Sequence, residues 1–141
     1  MPVRTAEAEW KGNLHEGQGR MKLGTGAYEG PFSFQSRMEN GPGTNPEELI
    51  GAAHSGCFTM ALSLILGEAG LTAERMETVA EVTLEKVDDG YAITSVHLTL
   101  KAKIPGADQT KFEELAGKAK AGCPVSKLLN TKITLDATLE S

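Results

Sequence analysis

The chain has 141 residues, 40% hydrophobic and 23% charged, with a formal net charge of -5, and this length and balance suit one globular domain over 1–141 with a core of its own. The acidic balance excludes a surface made to displace counterions from a phosphate backbone, which takes clustered Lys and Arg, so no nucleic-acid partner is expected. Aromatic residues are 5%, so the core must come from Val, Ile, Leu, Ala and Met, and so small a chain invites a core shared with a partner.

The opening MPVRTAEAEW has no apolar run between a basic start and a small-residue cleavage site. No secretory signal is read there, and a reducing, cytoplasmic setting is expected. From Thr5 to Met38 the pattern predicts short strands broken by glycine: TAEAEW, GRMKL and FSFQSRM. His15 falls among them as an ordinary strand residue. After Gly41-Pro42-Gly43 the character changes. Asn45 can cap a helix, Pro46 suits its first position, and Glu47 and Glu48 meet the positive end of its dipole. The helix runs as PEELIGAAHSGCFTMALSLILGEA and stops at Gly70, a residue free to adopt the left-handed conformation.

Between Leu49 and Leu66 this helix is apolar or small on almost every side, which fits either a buried central helix or a membrane span. His54, Ser55, Thr59 and Ser63 interrupt the run and acids flank it, so the membrane reading is rejected. Its small residues, Gly51, Ala52, Ala53, Ser55 and Gly56, leave room for a second copy of the same helix. ETVAEVTLEKV and YAITSVHLTLKAKI then form a hairpin around Asp88-Asp89-Gly90, with Val96, Leu98, Leu100, Ala102 and Ile104 turned inward. DQTKFEELAGKAKAG reads as an amphipathic helix, PVSKLLN as a short one, and TKITLDATLE as a last strand with Ile133, Leu135 and Ala137 inward. The order βββ-α-ββ-αα-β is that of an α+β domain.

Two cysteines are too few for a disulfide scaffold, and they form neither a CxxC pair nor a zinc ligand set. Free cysteines are among the most buried residue types, so inert packing is the plain alternative for both. Cys123 stands directly before Pro124 at the mouth of a short helix, where backbone N–H groups favour a thiolate. Cys57 lies well inside an apolar helix, where burial alone raises a thiol pKa. For Cys57 to react, a cation must reach it, and Arg4, Arg20, Arg37 and Arg75 are the arginines present. His54, one turn before Cys57, could be a general base or a ligand, but two ligands are short of what zinc needs.

GTNPEELIGAAHSGCFTMALSLILGEAG and, farther on, KAGCPVSKLL closely resemble the OsmC family of osmotically inducible and organic hydroperoxide resistance proteins. The likeness extends to the glycine-broken N-terminal strands, the DDGYAIT hairpin and the closing KITLDATLE strand. It implies an interlocked homodimer that reduces organic hydroperoxides, and often hydrogen peroxide, with dithiol reductants of which dihydrolipoyl groups are one class. No bound cofactor or metal is implied. By the same resemblance Cys57 matches the peroxidatic cysteine, which becomes a sulfenic acid, and Cys123 matches the second cysteine, which closes a disulfide with it. Glu47 matches the acidic partner of the active-site arginine. The resemblance is to the osmotically inducible branch, which makes that arginine Arg37, with Arg20 the alternative if the chain follows the other branch.

Glu47 and Cys57 are ten positions apart, about 15 Å along a straight helix. A bridge from Glu47 to an arginine beside Cys57 is therefore expected across a two-fold axis, with the site completed in trans. Phe58 and Met60 would suit an alkyl hydroperoxide. The rival function is a non-enzymatic small-ligand-binding protein of the stress response on the same fold, with both cysteines as packing residues.

Overall fold

The computed structural model describes residues 1–141, and the chain divides into two compact units, Met1–Leu49 and Ile50–Ser141. In the first, β1 (Ala6–Lys11), β2 (Gln18–Leu23) and β3 (Glu29–Phe32) form an antiparallel sheet in sequence order. Gly19 stands opposite Trp10 on one side and Phe32 on the other. A Cβ there would come within 2.4 Å of the Phe32 ring and 2.7 Å of Trp10. Its absence lets the two aromatic rings pack over the middle strand, with centroids 5.5 Å apart.

FSFQSRM is not a strand. Phe34–Met38 is a short helix, α1, and His15 lies in the β1–β2 turn against the Phe34 ring instead of in a strand. The alternation of Phe and Ser was overruled by a capping box. The Ser36 amide donates to Ser33 Oγ at 3.1 Å and the Ser33 amide to Ser36 Oγ at 2.8 Å. Two more bonds fix α1 to the residues ahead of the next helix. Ser36 Oγ donates to the Thr44 carbonyl at 2.7 Å, and Asn45 Nδ2 donates to the Ser36 carbonyl at 3.1 Å.

The long helix α2 (Pro46–Glu68) begins and ends where the sequence signals place it. Asn45 Oδ1 accepts from the Glu48 amide at 2.7 Å. At the far end Gly70 takes φ +75, the Leu71 amide bonds the Leu66 carbonyl and the Gly70 amide bonds the Gly67 carbonyl. That pair of bonds is a Schellman motif.

In the second unit, β4 (Arg75–Val87) and β5 (Gly90–Lys103) form the expected antiparallel hairpin around Asp88 and Asp89, and β6 (Lys132–Glu140) lies parallel to β5. A parallel partner needs a crossover. Here it consists of α3 (Gln109–Gly122), capped by Asp108, and α4 (Pro124–Leu128). Alternate β5 residues Val96, Leu98, Leu100 and Ala102 are fully buried, as are Phe112, Ala116 and Ala119 of α3. From α2 the same core receives Phe58, Leu62 and Leu66. Full burial of each large side chain contributes about 1.5–3 kcal/mol.

By length and composition α2 could cross a membrane, yet its stripe of His54, Phe58, Leu62 and Leu66 is buried within the protein. Its other side is bare in the single chain. Ala52, Ala53, Gly56, Met60 and Leu64 are exposed there, the last two at 77% and 66%.

Candidate active site

The two cysteines, far apart in sequence, are neighbours in the second unit. Cys123 ends α3 and caps α4, and it is fully buried. Its backbone N–H closes the last turn of α3 on the Ala119 carbonyl at 3.0 Å. Its sulfur accepts from the Ser126 amide at 3.3 Å and donates to Ser126 Oγ at 3.2 Å. The sequence placed Cys123 at a helix mouth for this reason, and Pro124 follows as the first helical residue.

Cys57 projects from α2 and is partly buried, with both thiols free. Burial pushes its pKa up, and the adjacent Cys123 pushes it further. One group acts the other way, the Val125 backbone, which favours the thiolate. No cation is among the groups acting on it. Cys57 therefore has a partner sulfur at hand and a backbone donor, and it is held as the thiol.

His54 is buried one turn before Cys57, with Nε2 2.8 Å from Ser126 Oγ. Burial lowers its pKa, so the ring is neutral near pH 7. The hydroxyl of Ser126 thus touches both His54 and Cys123. Sequence reasoning singled out His54 but not Ser126, whose only signal was its place three residues after a capping cysteine. No group of three or more His, Cys, Asp or Glu side chains converges anywhere in the chain. His97 bridges β5 and β6 through Thr134 and Asp136. Phe58 points into the core and is fully buried, so it cannot line a substrate pocket as its position beside Cys57 suggested. The helix turns successive side chains about 100° apart, and a neighbour in sequence faces elsewhere.

The arginine question is answered within the first unit as far as pairing goes. Arg37, at the end of α1, grips Glu47 in the first turn of α2, Nε to Oε1 at 3.0 Å and Nη2 to Oε2 at 2.8 Å. This is a two-pronged pair, and Glu47 raises the Arg37 pKa still higher. Glu47 is nearly buried while the Arg37 side chain is 40% exposed. Arg20 instead pairs with Glu29 across the β2–β3 ladder in the open. The Glu47–arginine bridge expected between subunits is thus made within one chain. The reason is the α1 turn, which a strand reading of FSFQSRM did not allow, with Gly43 at φ +113 helping reverse the chain before α2.

Known proteins are similar to this chain in sequence and in fold. Residues 39–138 match the family model described as OsmC-like protein. Over 139 residues, 98% of this chain and 97% of the relative, the sequence is 48% identical to peroxiredoxin OsmC of Escherichia coli. Over 99 residues, 69% of this chain and 66% of the relative, it is 36% identical to organic hydroperoxide resistance protein OhrA of Bacillus subtilis. Among solved structures, an OsmC-like protein of unknown function from Vibrio cholerae shares the fold, with a TM-score of 0.78 over 97% of this chain and 99% of that one at 19% identity.

Proposed function

The chain belongs to the OsmC family, and from that premise we propose that it is a thiol-dependent peroxidase reducing organic hydroperoxides, and hydrogen peroxide, through Cys57 and Cys123. It is a soluble protein that works in the cytoplasm as a homodimer, with residues 1–141 acting as one functional domain. The contact between the two thiols is the observation that carries this reading. A sulfenic acid formed at Cys57 meets a second thiol at once, which is the arrangement a two-cysteine peroxidase needs.

The Cys57 thiolate attacks the terminal peroxide oxygen, and the O–O bond breaks. The departing alkoxide takes a proton and leaves as the alcohol, with Cys57 now a sulfenic acid. Cys123 condenses with it, water is released, and a dithiol reductant such as a dihydrolipoyl group resets the disulfide by exchange. Arg37 supplies the positive charge that both the thiolate and the departing oxygen require, and Glu47 holds its guanidinium in place. Two guanidinium N–H groups bond Glu47, and the rest remain for the reaction. Because Glu47 starts the helix about 15 Å of rise ahead of Cys57, the pair serves Cys57 of a second subunit. The bare face of α2, small at Ala52, Ala53 and Gly56, is where that subunit packs.

Turnover of cumene hydroperoxide with a dithiol reductant tests the reading. Cys57→Ser should abolish it, whereas Cys123→Ser should permit one oxidation per subunit and then stall. Consumption by wild type no faster than by free thiol would instead favour the ligand-binding alternative.

A further inference from the structure

One buried polar chain has no part in the scheme above. Cys123 Sγ donates to Ser126 Oγ at 3.2 Å, and Ser126 Oγ lies 2.8 Å from His54 Nε2. His54 and Cys123 are fully buried and Ser126 nearly so, at 8% exposure. His54 Nδ1 is buried without any hydrogen-bond partner. A histidine kept only for packing would ordinarily have both nitrogens satisfied, and an apolar side chain would fill the space without an orphan atom. A hydroxyl that accepts from a thiol can at the same time donate to an imidazole, so the three groups form a continuous path for a proton.

We propose that His54 takes the proton of Cys123 through the Ser126 hydroxyl, and so prepares Cys123 to close the disulfide on oxidised Cys57. This rests on the peroxidase reading. His54 acts through Ser126 and touches no substrate, which makes it a positioning residue. As the thiol proton passes to Ser126 Oγ, the proton of Ser126 passes to His54 Nε2. The Cys123 sulfur then attacks the Cys57 sulfur, forming the S–S bond and breaking the S–O bond. Cys123 is oxidised and the sulfenic sulfur is reduced. The hydroxide that leaves receives the proton back from His54 and departs as water. The oxidant is the hydroperoxide that made the sulfenic acid.

The surroundings suit the task. Burial keeps His54 neutral, hence able to accept, and no charged side chain contributes to its pKa. The titratable group joined to it is the Cys123 thiol from the α3–α4 junction, through Ser126. Ser126 also gives its amide N–H to the Cys123 sulfur at 3.3 Å, so the thiolate left behind keeps a donor.

The test separates oxidation from disulfide closure. Reduced protein is mixed with one equivalent of cumene hydroperoxide without reductant and quenched over time with a 1,3-dione, which traps sulfenic acid, and a thiol alkylator. Mass spectrometry then gives the closure rate per sulfenic acid formed. In wild type this rate should be flat between about pH 6 and pH 9. In Ser126→Ala and His54→Gln it should be at least roughly tenfold slower near pH 6.5 and should rise with pH toward wild type, as hydroxide takes over removal of the thiol proton. Ser126→Thr, which keeps the hydroxyl, should restore the flat profile. Closure at the wild-type rate in Ser126→Ala overturns the proposal. So does slowing that is equal at every pH and not rescued by Thr, since that marks a packing defect. If wild type yields neither trapped sulfenic acid nor disulfide, the peroxidase reading has failed before the relay is reached, and the proposal falls with it.

Discussion

The two units of this chain are held together by different forces. Ile50–Ser141 contains every buried apolar side chain of the core, from Phe58 to Cys123. In Met1–Leu49 the buried side chains with polar groups are Ser36, Thr44 and Glu47, and no large apolar residue is buried. The first unit therefore depends on strand ladders, a capping box and an ion pair, and the second on area removed from water. The proposed chemistry divides along the same line, with the cation Arg37 in the polar unit and the thiols Cys57 and Cys123 in the apolar one. A thiol that must wait for its oxidant unreacted is well kept in an apolar setting that disfavours its charge. An arginine that must present charge is better kept at a half-open edge, gripped on one side by a carboxylate.

The comparison is broken most severely from the apolar side. Phe112→Ala should lower the stability of the second unit by about 3–5 kcal/mol, read as a shift in the denaturant midpoint. A cost below about 1 kcal/mol would show that this core does not dominate. On the polar side, Arg37→Ala leaves the nearly buried Glu47 carboxylate without its partner and should cost about 1–3 kcal/mol. Its peroxide turnover near neutral pH should fall about 10²- to 10³-fold. The sign of the pH effect is fixed by Cys57. Its pKa is raised by burial, so without the arginine the thiolate fraction grows only as pH rises, and the variant should recover part of its activity in alkali. Mixing Arg37→Ala with Cys57→Ser sharpens the assignment. If the site forms between subunits, random exchange should restore about a quarter of the wild-type sites, whereas two inactive proteins that stay inactive would place both residues in one subunit. The smallest effect is expected at Ser33, where Ala removes the cap of α1 and should cost about 1 kcal/mol. Turnover should fall less than for Arg37→Ala, because the guanidinium is displaced and not lost.

The thread from residues to site was legible wherever the signal was local. Asn45, Pro46 and the two acids marked the start of α2, Gly70 marked its end, and the alternation of Val96, Leu98, Leu100 and Ala102 gave the inward face of β5. Cys123 could be placed at a helix mouth because the proline after it announces one. Signals in competition were misread. Ser33 to Ser36 carries both a period of two and a capping box, and the box prevailed because it satisfies two amides at once. A helix apolar on nearly all sides gives no periodic hint of which side turns inward. The buried side of Phe58 and the bare side of Met60 were for that reason unreadable.

The sequence by itself determined the family and every element but α1, and it pointed to the two sulfurs, because caps, alternation and motif spacing act over a few residues. Only the tertiary structure decided that Cys57 lies against Cys123 and the Val125 amide, that Glu47 takes Arg37 and not Arg20, and that Ser126 joins His54 to Cys123. Those choices depend on where the crossover helices and the α1 turn bring distant residues together. Such meetings are set by packing and by the demand that buried polar groups find partners, and neither is written in any short stretch of chain.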